Sequence, residues 1–185
     1  MSTQPTQELV LPDMDPEILE AEAEDFYNIL SDLSSGESDT IGWRDVAIGT
    51  YGPGDLLWAR TISSRSREGE PISPNFAFKL RFNDQFTTTV YFPTSHKNPN
   101  ARRMRMDELL KTLARLCGPD FKSVPPPDVD KGYNLLAKCA YLDTLGQVAV
   151  QKSPRIMARW VNSPFKDSVT GEMVENKKVV ITRAA

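Results

Sequence analysis

Cysteine and histidine are scarce in this sequence, which holds two cysteines and one histidine among 185 residues. Cys117 and Cys139 match no zinc or redox spacing, and each lies within an apolar pattern, so both are predicted to be buried, reduced thiols. His96 is the single histidine, and any histidine-based triad would depend on this one residue of a loop rich in Asn and Pro. The sequence therefore predicts a protein that is not an enzyme and that holds no metal or cofactor.

Long apolar runs are also missing. No stretch approaches the roughly 20 apolar residues that a membrane-spanning helix requires. The N-terminus has neither the basic start nor the apolar segment of a signal peptide. A hydrophobic fraction of 39% still suffices for a core. We therefore expect a folded protein in the cytoplasm, or in the cytoplasm of a host cell if it is viral.

Two motifs that superficially look like functional sites lack an essential part. Segment 49–54, GTYGPG, is not followed by the Gly-Lys-Ser/Thr of a Walker phosphate loop, so we interpret it as a turn leading into a strand over residues 56–63. The acids of segment 127–131, PDVDK, fall in a proline-rich connector, whereas a two-metal nuclease needs carboxylates on rigid facing elements. A nuclease is therefore not expected.

Basic residues are absent from the first 40 positions, which contain 11 of the 25 acidic residues. The rest of the chain carries 14 acidic and 22 basic residues, so its charge is about +8, against −11 for the N-terminal part. Such asymmetry is typical of a nucleic-acid-binding body with an acidic arm. An acidic tail that only keeps the protein soluble is the alternative.

The acidic part is predicted to hold an amphipathic helix over residues 15–33, because Asp15 suits the N-cap and Pro16 the first helical position. Its apolar stripe recurs at helical spacing and consists of Leu19, Ala23, Phe26, Leu30 and Leu33. Either this stripe binds a partner protein or it packs on its own domain. The partner-binding candidates are Leu19, Phe26 and Leu30.

Segment 34–40, SSGESDT, has the composition of a flexible linker. It predicts a boundary between an acidic arm, residues 1–40, and a binding domain, residues 41–185. An acidic arm on such a linker reaches a basic surface at high effective concentration, so it is expected to compete there with DNA.

The binding domain is organised around segment 75–92, NFAFKLRFNDQFTTTVYF, which predicts an antiparallel hairpin. Its first half alternates phenylalanine and leucine with Lys79 and Arg81, so that one face is apolar and the other cationic. Its second half places Tyr91 and threonines opposite the apolar residues. A three-residue loop, residues 83–85, joins the two halves.

After the hairpin, one helix and four more strands are predicted. Arginines stand at the start of the helix, which has an apolar stripe from Met106 to Cys117 and stops at Gly118-Pro119. Residues 165–176 are interpreted as a loop or loose hairpin turn around Gly171. The four strands cover residues 133–143, 148–152, 155–161 and 177–183.

Aromatic and basic side chains on strands are the combination that sequence-tolerant single-strand binding uses. Trp58 and Tyr91 share faces with Arg60 or with threonines, whereas Tyr141 and Trp160 have the parity of apolar neighbours and are predicted core residues. The alternative is a sheet face that its charges merely keep soluble. The candidate nucleic-acid-binding residues are Trp58, Arg60, Arg65, Arg67, Lys79, Arg81, Tyr91, Arg102, Arg103, Arg155 and Arg159.

The order strand, hairpin, helix, strands is that of a five-stranded Greek-key barrel with one helix between strands three and four. With its segments DLLWARTISS, NFAFKLRF, FTTTVYF and RMDELLKTLARLCG, the chain resembles, over about residues 49–161, the oligonucleotide-binding (OB) fold of single-stranded-DNA-binding proteins of tailed bacteriophages. The resemblance implies a mainly β barrel, here preceded by the acidic helix. It implies binding through the strand face, by Trp58, Arg60, Lys79, Arg81 and Tyr91. Such proteins commonly carry their acidic tail at the C-terminus, so the N-terminal arm is a departure.

We therefore expect a sequence-tolerant single-stranded-DNA-binding protein of replication, recombination or repair. Its acidic arm is expected to compete with DNA or to recruit replication or recombination proteins. The alternative is a protein-interaction module, for example an inhibitor that mimics DNA through its acidic helix.

Overall fold

The computed structural model describes residues 9–35, 47–82, 86–96, 98–128, 133–162, 164–167, 169–175 and 177–184. Three α-helices are present in these ranges: α1 (Pro16–Ser35), α2 (Pro99–Cys117) and α3 (Leu135–Lys152). A short 3-10 helix, Gly118–Ser123, follows α2 directly. The strands are β1 (Ala47–Arg65), β2 (Pro71–Phe82), β3 (Phe86–Pro93), β4 (Arg155–Asn162), β5 (Phe165–Lys166), β6 (Met173–Val174) and β7 (Lys177–Ala184).

Five of these strands form one antiparallel sheet in the order β3-β2-β1-β4-β7. β1 is 19 residues long and pairs with two strands: residues 47–55 pair with β4 and residues 55–65 pair with β2. The segment 49–54, predicted to be a turn, is therefore part of a strand. The edge strands β3 and β7 approach one another, but no strand pairing joins them in the described residues.

The prediction of a mainly β, closed five-stranded barrel with one helix between strands three and four was wrong. The sheet is open, more residues lie in helices than in strands, and two α-helices separate β3 from β4. The error came from residues 133–143 and 148–152, which were predicted to be strands and instead belong to α3 for most of their length.

The buried positions of α3 can be compared with the repeat of a helix, about 3.6 residues, and with the two-residue repeat of a strand, and they fit the helix. Asn134 caps the helix through its side chain, which accepts a hydrogen bond of 2.8 Å from the Ala137 N–H. Positions 135, 138, 139, 141, 142, 145, 146 and 149 are buried, which is the spacing of one helix face. A short apolar run such as LLAKCAYL satisfies a strand pattern as well, so alternation alone could not separate the two structures.

Helix α3 covers the edge of β1 where β4 no longer pairs with it. Thr61 donates its backbone N–H to the Asp143 carboxylate at 2.6 Å, and its hydroxyl donates to the same group. Burial raises the pKa of Asp143 above its ordinary value, while these bonds from Thr61 act against the rise. A Cβ on Gly146 would lie 2.2 Å from the Ala59 carbonyl oxygen, so only glycine allows this close approach of helix and strand.

One hydrophobic core connects the sheet with the helices. On β2 the large side chains buried in this core are Phe76, Phe78, Leu80 and Phe82. The helices contribute Phe26 from α1, a stripe of leucines from α2, and Leu142 and Leu145 from α3. We call the face of the sheet that carries these β2 residues the inner face and the opposite one the outer face.

Helix α1 is part of this core. Asp15 caps it as predicted, accepting a 2.9 Å hydrogen bond from the Glu17 N–H. Phe26 is fully buried and makes edge-on ring contacts with Tyr27 and Tyr141, and Leu30 is buried too. Of the two alternatives for the apolar stripe, the structure shows packing on the rest of the chain. The predicted linker, residues 34–40, lies largely outside the described residues.

The other predicted elements are confirmed. The hairpin forms with Phe82 paired to Phe86, while its loop, residues 83–85, lies outside the described residues. Helix α2 begins after an Asn98 cap and ends at Gly118, whose φ of 59° is a conformation that favours glycine. Strands β4 and β7 occupy the predicted ranges 155–161 and 177–183, and β5 and β6 form a small hairpin whose turn contains Gly171.

Candidate nucleic-acid interface

The outer face gathers side chains from three neighbouring strands because alternate residues point to opposite sides. Lys79 of β2 pairs with Trp58 of β1 and with Thr89 of β3. One step along, Ala77 pairs with Arg60 on one side and with Tyr91 on the other. Aromatic and cationic side chains that are up to 33 positions apart in sequence thus occupy one surface.

A β-bulge in β1 is what turns Trp58 outward. Leu56 pairs with the inner-face residue Leu80, but the register then shifts, so that Trp58 pairs with Lys79 instead of Phe78. Without this register shift, Trp58 would pair with Phe78 and its indole would enter the apolar inner face. Bulges re-aim side chains in this way, and they frequently occur beside functional sites.

The indole of Trp58 is stacked on a cation. The Arg60 guanidinium lies 4.7 Å from the centroid of the Trp58 ring. Such a contact stabilises the pair by about 0.5–1 kcal/mol at an exposed site. Their position on β1, beside β2 and beyond the end of the pairing with β4, therefore presents a ring and a positive charge together.

Tyr91 is the most exposed ring of this surface, with 58% of its area accessible. Its cross-strand neighbour Ala77 is fully buried although it belongs to the outer face. Lys79 lies beside it and reaches the Thr89 hydroxyl at 3.4 Å, which leaves its ammonium near the surface. Tyr91 and Lys79 thus form an accessible ring and cation on adjacent strands.

A three-residue ion cluster completes the outer face at the junction of β2, β1 and β4. Arg81 and Arg155 both bind Asp55, at 3.1 Å and 2.8 Å. Among the described outer-face residues of the sheet, one carboxylate, that of Asp55, stands against four cations, Arg60, Lys79, Arg81 and Arg155. Asp143 of α3 also interacts electrostatically with Arg60. The face is therefore net positive, in a protein whose overall charge is −3.

The remaining arginine candidates lie elsewhere. Arg65 and Arg67 are exposed at the β1–β2 turn, where the Arg65 guanidinium donates to the Gly69 carbonyl at 2.8 Å. Arg102 is buried against Asp25 of α1, at 3.7 Å, so it joins two helices and is not available to a ligand. Arg103 is exposed on α2, outside the sheet.

Arg159 pairs with Thr50 and Val180 in the backbone register, but its side chain and that of Trp160 lie outside the described part of the structure. Tyr141, a predicted core residue, is buried as expected, on α3 and not on a strand.

The partner-binding candidates on α1 are mostly inaccessible. Phe26 and Leu30 are buried in the core and Leu19 is half-buried. What α1 exposes is acidic, since Glu17, Glu20 and Glu24 remain at the surface. The described residues therefore show a helix whose apolar stripe packs on the rest of the chain.

A buried polar cluster that sequence reasoning missed holds α1 in place. Glu22 and Lys138 form an ion pair with 0% and 1% of their side-chain areas exposed. The Tyr133 and Ser95 hydroxyls donate to the same carboxylate at 2.9 Å and 3.0 Å. Burial and the adjacent Glu22 raise the pKa of Tyr133 well above its usual value. A signal was present, because Glu22 falls within the apolar stripe of α1.

The cysteines and the histidine of the described residues do not belong to a cluster of potential metal ligands. Cys117 and Cys139 are buried thiols, and burial raises their pKa to about 12 and about 11. His96 is exposed, and its Nδ1 accepts a hydrogen bond from the Asn98 N–H. The same part of the chain contains no group of three potential metal ligands.

One sizeable surface groove, of about 440 Å³, lies away from the outer-face cluster. It is lined by segments 12–15, 71–73 and 95–96 together with Ile18.

Comparison with known proteins adds no identification, since no family model, no curated protein and no solved structure matches this chain. Within the described ranges, the helices are all too short or too polar to cross a membrane.

Proposed function

We propose that this protein binds single-stranded DNA through the outer face of its sheet, without strong sequence preference. The observation that carries the proposal is the joint presence of Trp58, Lys79 and Tyr91 on three adjacent strands, with arginines around them. Aromatic rings stack on any base, and cations bind the sugar-phosphate chain, so this composition suits an unpaired strand of any sequence.

The spacing of the two rings favours a single strand over a duplex. Trp58 and Tyr91 are two strands apart, and the register offsets them by two residues along the strands. With strands about 4.8 Å apart and a rise of about 3.3 Å per residue, their Cα atoms are about 12 Å apart. Bases stacked in a duplex strand follow at about 3.4 Å and hide their faces. Only a strand with separated bases offers a ring face at both positions.

Electrostatics determines the expected salt dependence. Each phosphate bound by a cation releases counterions and contributes about 0.7 to the logarithmic salt slope for single strands. Lys79 and Arg81 are adjacent outer-face cations of β2. Reversing both to glutamate is expected to lower the slope by about 1.4 and to weaken binding strongly.

The test is a fluorescence anisotropy titration of labelled oligothymidine and of a matched duplex at several salt concentrations. The K79E/R81E variant is compared with R105E/K122E, which makes the same two charge reversals at exposed positions of α2 and of the 3-10 helix. We expect wild type to prefer the single strand, K79E/R81E to lose affinity and slope, and R105E/K122E to retain both. An unchanged slope in folded K79E/R81E, or equal losses in the two variants, would reject the outer face as the site.

A further inference from the structure

Asp55 holds two arginines of the outer face on one carboxylate. It is the residue of β1 at which pairing changes neighbour, so its cross-strand partners are Arg81 on β2 and Arg155 on β4. Arg81 reaches Oδ2 at 3.1 Å and Arg155 reaches Oδ1 at 2.8 Å. Since each guanidinium binds one oxygen of the same group, both lie within reach of a single anion.

A phosphodiester offers the same acceptor geometry as this carboxylate. Both groups present two oxygens to the planar donors of arginine, and arginine binds either in a bidentate manner. The two guanidinium-bearing side chains are 42% and 56% exposed, whereas that of Asp55 is 29% exposed. An incoming phosphate therefore meets the arginines before it meets the carboxylate.

We propose that Arg81 and Arg155 form a phosphate subsite for single-stranded nucleic acid, which the Asp55 carboxylate occupies in the unbound protein. The inference rests on the proposed function and adds to it an internal competitor. Exposed ion pairs are weak and screened by salt, so a phosphate can replace the carboxylate. The carboxylate nevertheless stays nearby and repels the phosphate, because like charges at short range oppose each other. Asp55 thus lowers the affinity of the outer face for single-stranded nucleic acid.

The experiment removes the competing charge with D55N and measures oligothymidine binding by anisotropy from 50 to 200 mM salt. We expect tighter binding than wild type and a slope steeper by about 0.7, so that the gain shrinks about 2.6-fold across this range. D120N is the matched control, because Asp120 also forms a surface ion pair, with Lys152 at 2.8 Å, away from the sheet. It makes the same change in net charge and is expected to bind like wild type.

A second pair of variants, R155Q and R155Q/D55N, tests whether the gain in affinity depends on the subsite. In an R155Q background, which lacks one of the two arginines, D55N should give a smaller gain than in the wild type. Melting curves establish that each variant is folded.

The outcomes separate the two proposals. If D55N binds as wild type does, or more weakly, Asp55 is not a competitor and the subsite proposal is wrong, while the outer face remains the binding surface. A gain in affinity of equal size in D120N would show that the effect comes from net charge, and it would also contradict the subsite proposal. If neither wild type nor D55N binds the oligonucleotide, the proposed function fails and the subsite with it.

Discussion

Replacing Lys138 with methionine removes one side of the ion pair that joins α3 to α1. Glu22 and Lys138 expose 0% and 1% of their side chains, so the remaining carboxylate would have no access to water. It would retain the hydroxyls of Tyr133 and Ser95, but not its counter-charge. Breaking a buried pair from one side costs about 3–5 kcal/mol. Since domains are stable by about 5–15 kcal/mol, K138M should lose a large part of its free energy of unfolding.

The assay is urea unfolding followed by circular dichroism, with K138M, E22Q and the double variant forming a mutant cycle. E22Q removes the charge and keeps an oxygen that can accept from Tyr133, so the double variant should be more stable than K138M alone. K111M is the matched control, because Lys111 forms a partly exposed pair with Asp107 within α2. Such a pair contributes about 0.3–0.5 kcal/mol. If K138M were no more destabilised than K111M, the pair of Glu22 and Lys138 would not anchor α1 to α3.

Two further predictions concern the rings and the thiols. Y91A and W58A should each weaken oligothymidine binding by about 1–3 kcal/mol in anisotropy titrations. Y91A should keep its melting temperature, since Tyr91 is 58% exposed; binding equal to wild type in both variants would contradict a stacking role. Stability should fall as pH rises above about 9, because folding raises the pKa of Cys139 from 9.0 to about 11, so the unfolded chain loses the proton first. The loss is about 1.4 kcal/mol per pH unit for this thiol between the two values. Urea unfolding from pH 8 to 10.5 measures it, and C139A should show a shallower decline; identical profiles would contradict the assignment.

Much of the candidate interface could be predicted from the sequence because the signal is local. The alternation in β2 and β3 placed Lys79, Arg81 and Tyr91 on the face opposite the phenylalanines, and the register agrees with it. Trp58 and Arg60 were assigned to a common face for the same reason, and they are in contact. That single-strand binding follows from this face remains our proposal.

The sequence alone also determined the amphipathic character of α1, its Asp15 cap and the stop of α2 at Gly118, since each depends on residues within a few positions of one another. Tertiary structure decided the rest. Whether LLAKCAYL forms a strand or a helix depends on what it packs against, and here it belongs to α3, which packs on β1 where Gly146 approaches Ala59. The α1 stripe is buried by residues far along the chain, such as Tyr141, and its neighbour Glu22 pairs with Lys138, 116 positions away. The Asp55 cluster likewise requires that three strands lie side by side at one residue. A local sequence pattern does not predict which residues of distant strands become neighbours.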